Sequence, residues 1–367
     1  MDCKDIILLT TIDTSECRIN NQSDANAIGR GEADLVTFTP NQDFKCTSHN
    51  DILTITPSNG SSFVTSVPTP PQLGPVPGGI FDHVKFLAYS AINTLPEDGS
   101  ILRTTWIANG KQLNVDNNPY DGSVVNPRED IRLASVGLNS IDVSTLLVFD
   151  FFISDKVAYA LIERLPGLEG TFGPYAAFSW TYPILKSKCL YKQYHKYSMA
   201  ANRAKGTMTW FVDDEPVLKY TQFGFYPSEN NVFVPGKHGM PRSISNPRKY
   251  LLNNHGGVEP TKPIELIRLQ SGVGLFTLVD WYRPNNTKGT PNIPLVRLES
   301  SRYRAGSNNT VFFYNDPIIG GESTFLYNSV LAPDGLSYLP TIPTDKRIFG
   351  QGAILNLKEL KITIEKY

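Results

Sequence analysis

Residues 146–167 read LLVFDFFISDKVAYALIERLPG. Two runs rich in Val, Ile, Phe and Tyr flank Ser154-Asp155-Lys156, the composition of two β-strands joined by a short turn. The first run is apolar on both faces. The second carries polar side chains at Glu163 and Arg164. Neighbours on a strand point to opposite faces, so these two cannot pair with each other. Whichever points inward needs a partner for its charge and is a site candidate. A second marker, TMTWFVDDEPVLKY (207–220), takes an aromatic strand into a tight acidic turn and out as another strand. Asp suits turn backbone geometry, so Asp213-Asp214-Glu215 reads as a hairpin turn before it reads as an acid–base cluster. Together the two segments predict a large antiparallel sheet protein with few helices.

Composition agrees. The 367 residues are 40% hydrophobic and 19% charged, enough apolar matter for a sizeable core. They include 28 Gly and 27 Pro beside 17 Tyr and 19 Phe, the mixture of frequent turns and aromatic strands. The formal net charge is −1 and no basic stripe is present, so nucleic acid is not an expected partner. The most basic window, KSKCLYKQYHKY (186–197), reads as a solvated strand face. No apolar run reaches the roughly 18 residues of a membrane span. Cys3, Cys17, Cys46 and Cys189 form no C-x-x-C pair, so no metal site is expected. Three of them lie in the first 50 residues, where disulfides could staple an amino-terminal arm, with the pairing open. Asn21, Asn59, Asn285 and Asn308 open N-x-S/T sequons. MDCKDIILLT lacks a signal-peptide pattern. The expectation is a secreted or secretory-pathway protein whose signal has been removed, the alternative a cytoplasmic one.

Residues 1–79 read as an N-terminal extension ending in a Pro-rich strap, SFVTSVPTPPQLGPVPGG (62–79). A β-sandwich should follow over 80–367, interrupted by an irregular insertion at 226–262, a length that usually covers a site. His238 and His255 would be lid residues there.

DFFISDKVAYALIERLP (150–166), TWFVDDEPV (209–217), GVGLFTLVDWY (272–282) and FGQGAILNLKEL (349–360) together resemble a family of bacterial and fungal proteins classed as a domain of unknown function. The resemblance covers about residues 80–367. It implies an all-β, antiparallel jelly-roll sandwich of the concanavalin-A/glucanase-like type with an N-terminal extension. Within fungi the chain is also similar in type to the hetero-Diels–Alderases of tropolone–sesquiterpenoid biosynthesis. That likeness implies a cofactor-independent pericyclase that joins a tropolone quinone methide to a sesquiterpene alkene. Its partner would be a small hydrophobic molecule, with a homodimer as a compatible assembly.

Three functions compete. A pericyclase needs no nucleophile, metal or cofactor. It needs an apolar pocket that aligns two reactants and donors that polarise the heterodiene oxygen. A lectin needs an aromatic platform, which the composition supplies. A glycoside hydrolase needs paired carboxylates. The E-x-D-x-x-E strand pattern of laminarinase-type enzymes is absent, although DFFISDKVAYALIE offers Asp150, Asp155 and Glu163. The candidate donors for catalysis are His195, Lys192 and Arg283. The candidate substrate-binding residues are Trp106, Tyr159, Glu163, Trp180, Tyr182 and Trp281. Trp180 alternates with Phe178 and Tyr182, so one strand face carries three aromatics, which could line a pocket or pack between sheets. Trp210 reads as core.

Overall fold

The computed structural model describes residues 5–38, 42–64, 83–117, 124–165, 173–236, 240–278 and 350–366, with three short strands between 295 and 327. In chain order the strands are β1 (Ile6–Thr11), β2 (Ile19–Asn20), β3 (Leu35–Thr37), β4 (Lys45–His49), β5 (Ile52–Thr56), β6 (Val84–Thr94), β7 (Ile101–Leu113) and β8 (Ser135–Asp142). They continue as β9 (Leu147–Ile153), β10 (Val157–Arg164), β11 (Ala176–Lys186), β12 (His195–Asn202), β13 (Thr207–Val212), β14 (Glu215–Thr221) and β15 (Val232–Pro235). The last are β16 (Pro241–Ser243), β17 (Leu251–Gly257), β18 (Arg268–Phe276), β19 (Leu295–Leu298), β20 (Thr310–Tyr314), β21 (Leu326–Tyr327) and β22 (Gly352–Glu365). Among the described residues one α-helix, α1, spans Asn26–Gly29.

Two large sheets form an all-β jelly-roll sandwich. The nine-stranded sheet runs β17-β11-β10-β9-β8-β18-β6-β3-β2. The ten-stranded sheet runs β16-β15-β14-β13-β12-β7-β22-β5-β4, with β1 also on β22. Pairing within both is antiparallel except between β2 and β3. A small third sheet holds β19, β20 and β21.

The hairpin β9–β10 sits at the middle of the nine-stranded sheet, and its register explains the residue pattern. Ile153 faces Ala158, Asp150 faces Leu161 and Val148 faces Glu163. Leu147, Phe149, Phe151 and Ile153 therefore share one side with Ala158, Ala160 and Ile162, and all belong to the main core between the sheets. Val148 and Phe152 take the other side with Val157, Tyr159 and Leu161, in a second apolar cluster on the outer face. Burying each large side chain contributes roughly 1.5–3 kcal/mol.

Indole N–H groups tie the sheets together. Trp106 on β7 donates to the Gly272 carbonyl of β18 at 3.1 Å, and Trp210 on β13 donates to the Asp150 carbonyl of β9 at 3.0 Å. A chain of buried hydroxyls, Thr104–Ser271–Ser140, also crosses the interior at 2.9 and 2.7 Å. At the β13–β14 turn, Asp213 and Asp214 both take positive φ (51° and 69°), the backbone of a tight hairpin turn.

Two features differ from the sequence expectation. Much of the N-terminal segment is woven into the sandwich rather than appended to it. β3 pairs with β6 in one sheet. In the other, β22 is paired with β7 along one edge and shares its opposite edge between β5 and β1. Cys17 and Cys46 form a disulfide, and Cys189 is free and exposed. Most of the Pro-rich strap and Cys3 lie outside the described residues. The 226–262 insertion is not an unstructured lid. It contributes β15 and β16 to the edge of the ten-stranded sheet and β17 to the edge of the nine-stranded one. Its Pro and Asn content suits edge strands, where ladder hydrogen bonds are needed on one side only. Among the described residues no helix is long and apolar enough to cross a membrane.

Candidate functional site

The outer face of the nine-stranded sheet carries two buried carboxyl groups, Asp150 and Glu163. Across three adjacent strands, Asn139 on β8 faces Asp150 on β9, which faces Leu161 on β10. Glu163 lies two residues beyond Leu161, so strand alternation returns it to the same face, diagonal to Asp150. Both carboxyl groups are buried, at 3% and 8% exposure. They line a cleft of about 230 Å³ with Tyr89, Asn139, Phe152 and Phe276, while Phe38 and His83 complete its wall.

The cleft has its shape because the sheet beneath is stripped of side chains. Gly137 on β8 and Gly274 on β18 share the outer face, and the Phe276 ring lies across both. A Cβ at either position would come within 2.5 Å of that ring. Phe276 in turn packs edge-on against Phe152 at 4.9 Å and is stacked with His83 at 6.1 Å. The result is an aromatic floor beside a carboxyl pair.

Electrostatics separates the members of the site. Burial raises the Asp150 carboxyl well above the usual carboxylate range, and the charge of Glu163 raises it further. Opposing donors, the Asn139 amide and the Ser140 N–H (3.2 Å), only offset this in part. Asp150 thus keeps its proton to higher pH than an ordinary carboxyl does. Asn139 Oδ1 is buried with no partner among the described residues. With the amide turned over, that oxygen would accept the Asp150 proton. Glu163 accepts a hydrogen bond from Ser179 Oγ on β11. Burial and the charges of Asp150 and Glu163 push the Tyr89 phenol up as well, so it stays neutral.

Of the sequence candidates, Glu163 lies in this cleft. Its neighbour Arg164 points the other way, fully buried, with its guanidinium 3.6 Å above the Tyr175 ring. Tyr159 shares the outer face but is fully buried, and its hydroxyl donates to the Glu129 carbonyl at 2.9 Å. Trp106 and Trp180 are fully buried in the core between the sheets, as is Trp210, so neither of the first two lines the cleft. The Trp180 indole donates to the Pro247 carbonyl at 2.8 Å and stacks with half-buried Tyr182. The three-aromatic face of β11 is therefore the packed one, because Tyr226, Pro247 and Tyr250 of the 226–262 segment cover it. His195 opens β12 in the other sheet, with Nδ1 2.7 Å from Asp213 Oδ2. Lys192 is exposed, 5.5 Å from the Tyr191 ring. Neither His195 nor Lys192 lines the cleft. Trp281, Arg283 and His238 lie outside the described residues, as does the His255 side chain.

Asp150 enters from the sequence only as one of three carboxylates for the hydrolase reading, and Tyr89, Asn139, Phe152 and Phe276 are not among the site candidates. The signal for Asp150 was present: a turn at 154–156 fixes the hairpin register, and the register puts Asp150 and Glu163 on one face.

An uncharacterised protein, L829, of Acanthamoeba polyphaga mimivirus is 25% identical over 65% of this chain, and the match spans 64% of that protein's length. Among solved structures, the chain is similar to a kappa-carrageenase from Pseudoalteromonas carrageenovora (10% identity, TM-score 0.32, 100% of this chain and 97% of that one). It is also similar to an endo-beta-1,3-glucanase from Pyrococcus furiosus (10% identity, TM-score 0.31, 75% and 96%). Likeness at this level identifies no shared active site. The family match is broader and begins well inside the N-terminal segment. Matched by its family model over residues 21–366, the chain belongs to the family of unknown function DUF6081.

Proposed function

We propose that the chain acts on glycans, and that the outer-face cleft is a glycosidic-bond site. The observation that carries this reading is the buried Asp150–Glu163 pair on adjacent strands, with the Asp150 carboxyl raised above the ordinary range, beside an aromatic floor. Glycosidic cleavage needs one carboxyl that protonates the leaving oxygen and a second that assists from the other side of the sugar. Asp150 is the acid. Burial supplies the raised proton affinity such an acid needs at neutral pH. Glu163, oriented by Ser179, supplies the second carboxyl. Phe152 and Phe276 offer an apolar surface for the C–H face of a sugar ring.

The test is reducing-end release from laminari-, cello-, xylo- and chito-oligosaccharides by wild type, Asp150→Asn and Glu163→Gln. The reading expects turnover of at least one series, reduced about 100-fold or more in each variant, the usual size of a general-acid effect. Binding without turnover, weakened in both variants, would reduce the function to that of a lectin. Neither binding nor turnover of any series would refute it.

A second reading is a hetero-Diels–Alder pericyclase. The mostly apolar lining of the same cleft favours it, since a protonated Asp150 would donate a hydrogen bond to the carbonyl of a quinone methide. Incubation with a tropolone quinone-methide precursor and humulene-type alkenes separates the two. A single stereoisomer, lost in Asp150→Asn, would favour cycloaddition, and product matching a heat-denatured control would exclude it.

A further inference from the structure

A second depression of about 430 Å³ lies on the same outer face, and it shares Phe38 and Tyr89 with the carboxyl cleft. The two hollows are therefore neighbours across a common aromatic wall. Resting on the glycan reading, we infer that this hollow is a second sugar subsite, so that the ligand is a neutral oligosaccharide of two or more rings. Its chain would run from Asp150 and Glu163, over Tyr89, to the groove between β6, β18 and the N-terminal segment.

The chemistry of the second hollow differs from that of the first. It is lined by the hydroxyl residues Ser23, Thr37 and Ser90, by Gln270, and by the apolar Ile28 and Ile92. Ser23 and Thr37 hydroxyls lie 3.3 Å apart, and Thr37 also donates to the Asn20 carbonyl at 3.2 Å. Gln270 Nε2 donates to the Ser90 carbonyl at 3.0 Å, which fixes the carboxamide. No described group donates to its Oε1, so that oxygen is a positioned acceptor for a sugar hydroxyl. Fixed neutral donors and acceptors beside a half-apolar wall suit a sugar ring, which presents hydroxyls at its rim and C–H groups on its faces.

Charge narrows the ligand class further. Among the described lining residues of both hollows the ionisable groups are Asp150, Glu163, His83 and Tyr89, with no Lys or Arg. A uronate, sulfate or sialate carboxylate would face acidic groups without a guanidinium or ammonium to bind it. The N-terminal segment supplies Ser23, Ile28, Thr37 and Phe38, and so forms one bank of the groove.

The experiment is calorimetric titration of the intact protein with mono- to tetrasaccharides of the neutral series above, and with matched uronate oligomers. Wild type and the variants Gln270→Ala and Ala91→Trp are compared. Gln270 is half-buried, and Ala91 lines the hollow without touching the carboxyl cleft. Wild type should gain roughly five- to tenfold in affinity from one ring to two or more, the value of one or two net hydrogen bonds. Both variants should lose that gain and keep the single-ring affinity. A length gain that survives in both variants would overturn the subsite, as would tighter binding of uronates than of neutral sugars. A flat length dependence in wild type would also overturn it, while binding still sensitive to Glu163→Gln would leave the glycan reading standing. Absence of binding by every sugar would remove both.

Discussion

Replacing Asp150 with Asn should stabilise the folded protein at neutral pH, by an amount that grows with pH. In the unfolded chain this carboxyl loses its proton near the ordinary value of 3.8, whereas in the fold burial and Glu163 raise it well above that. The folded state therefore binds one more proton than the unfolded state across the interval between the two values. A raised pKa of this kind contributes stability below the unfolded value, and that contribution falls as pH rises toward the folded value. Each unit of pH in the interval costs wild type about 1.4 kcal/mol relative to Asn, which carries no proton to lose. Throughout that interval the gap should widen steadily with pH in favour of the variant. Urea unfolding followed by tryptophan fluorescence, at closely spaced pH values, reads this directly. The difference between the two proteins isolates Asp150 from the other titrating groups. A difference that stays flat across the interval, or that favours wild type increasingly with pH, would refute a protonated Asp150.

The remaining expectations concern the frame around the site. Trp180→Ala should destabilise by about 3–5 kcal/mol, since the indole is fully buried between the sheets, and any loss of activity should track unfolding in thermal melts. Gly137→Ala places a Cβ 2.5 Å from the Phe276 ring, so it should lift that ring and weaken ligand binding while the fold survives by circular dichroism. Cys17→Ser opens a disulfide that closes a 29-residue separation and should cost about 3.5 kcal/mol in denaturant unfolding. Unchanged stability would show that the N-terminal strands are held by their sheet pairing alone.

The central hairpin was legible because its signals are local. The alternation of β9 and β10 and the polar turn at Ser154-Asp155-Lys156 sit within twenty residues, and the Asp213-Asp214 turn is shorter still. Alternation assigns residues to one face or the other, but it does not say which face another sheet will cover. Phe178, Trp180 and Tyr182 accordingly read equally well as pocket or core, and only Tyr226, Pro247 and Tyr250 of the 226–262 segment decide for core. Long-range pairing was invisible for a related reason. β1 and β5 complete the edge of β22, some 300 residues later, and nothing in IILLTT or ILTIT names that partner. Short strands near the sheet margin are hard to read for another reason: Val232–Pro235 ends in Pro and Pro241–Ser243 carries Pro and Arg, which resemble loop composition. The carboxyl pair was within reach, since the hairpin register alone puts Asp150 and Glu163 on one face. The aromatic floor was not, because it depends on glycines from two strands that meet only in the folded sheet.

The glycan reading is tested most directly by a crystal structure of Glu163→Gln soaked with the neutral oligosaccharides of the hydrolysis panel. The account predicts a sugar ring seated on Phe152 and Phe276, with a glycosidic oxygen within hydrogen-bond reach of Asp150. An empty cleft, or a sugar held elsewhere on the molecule, would contradict it.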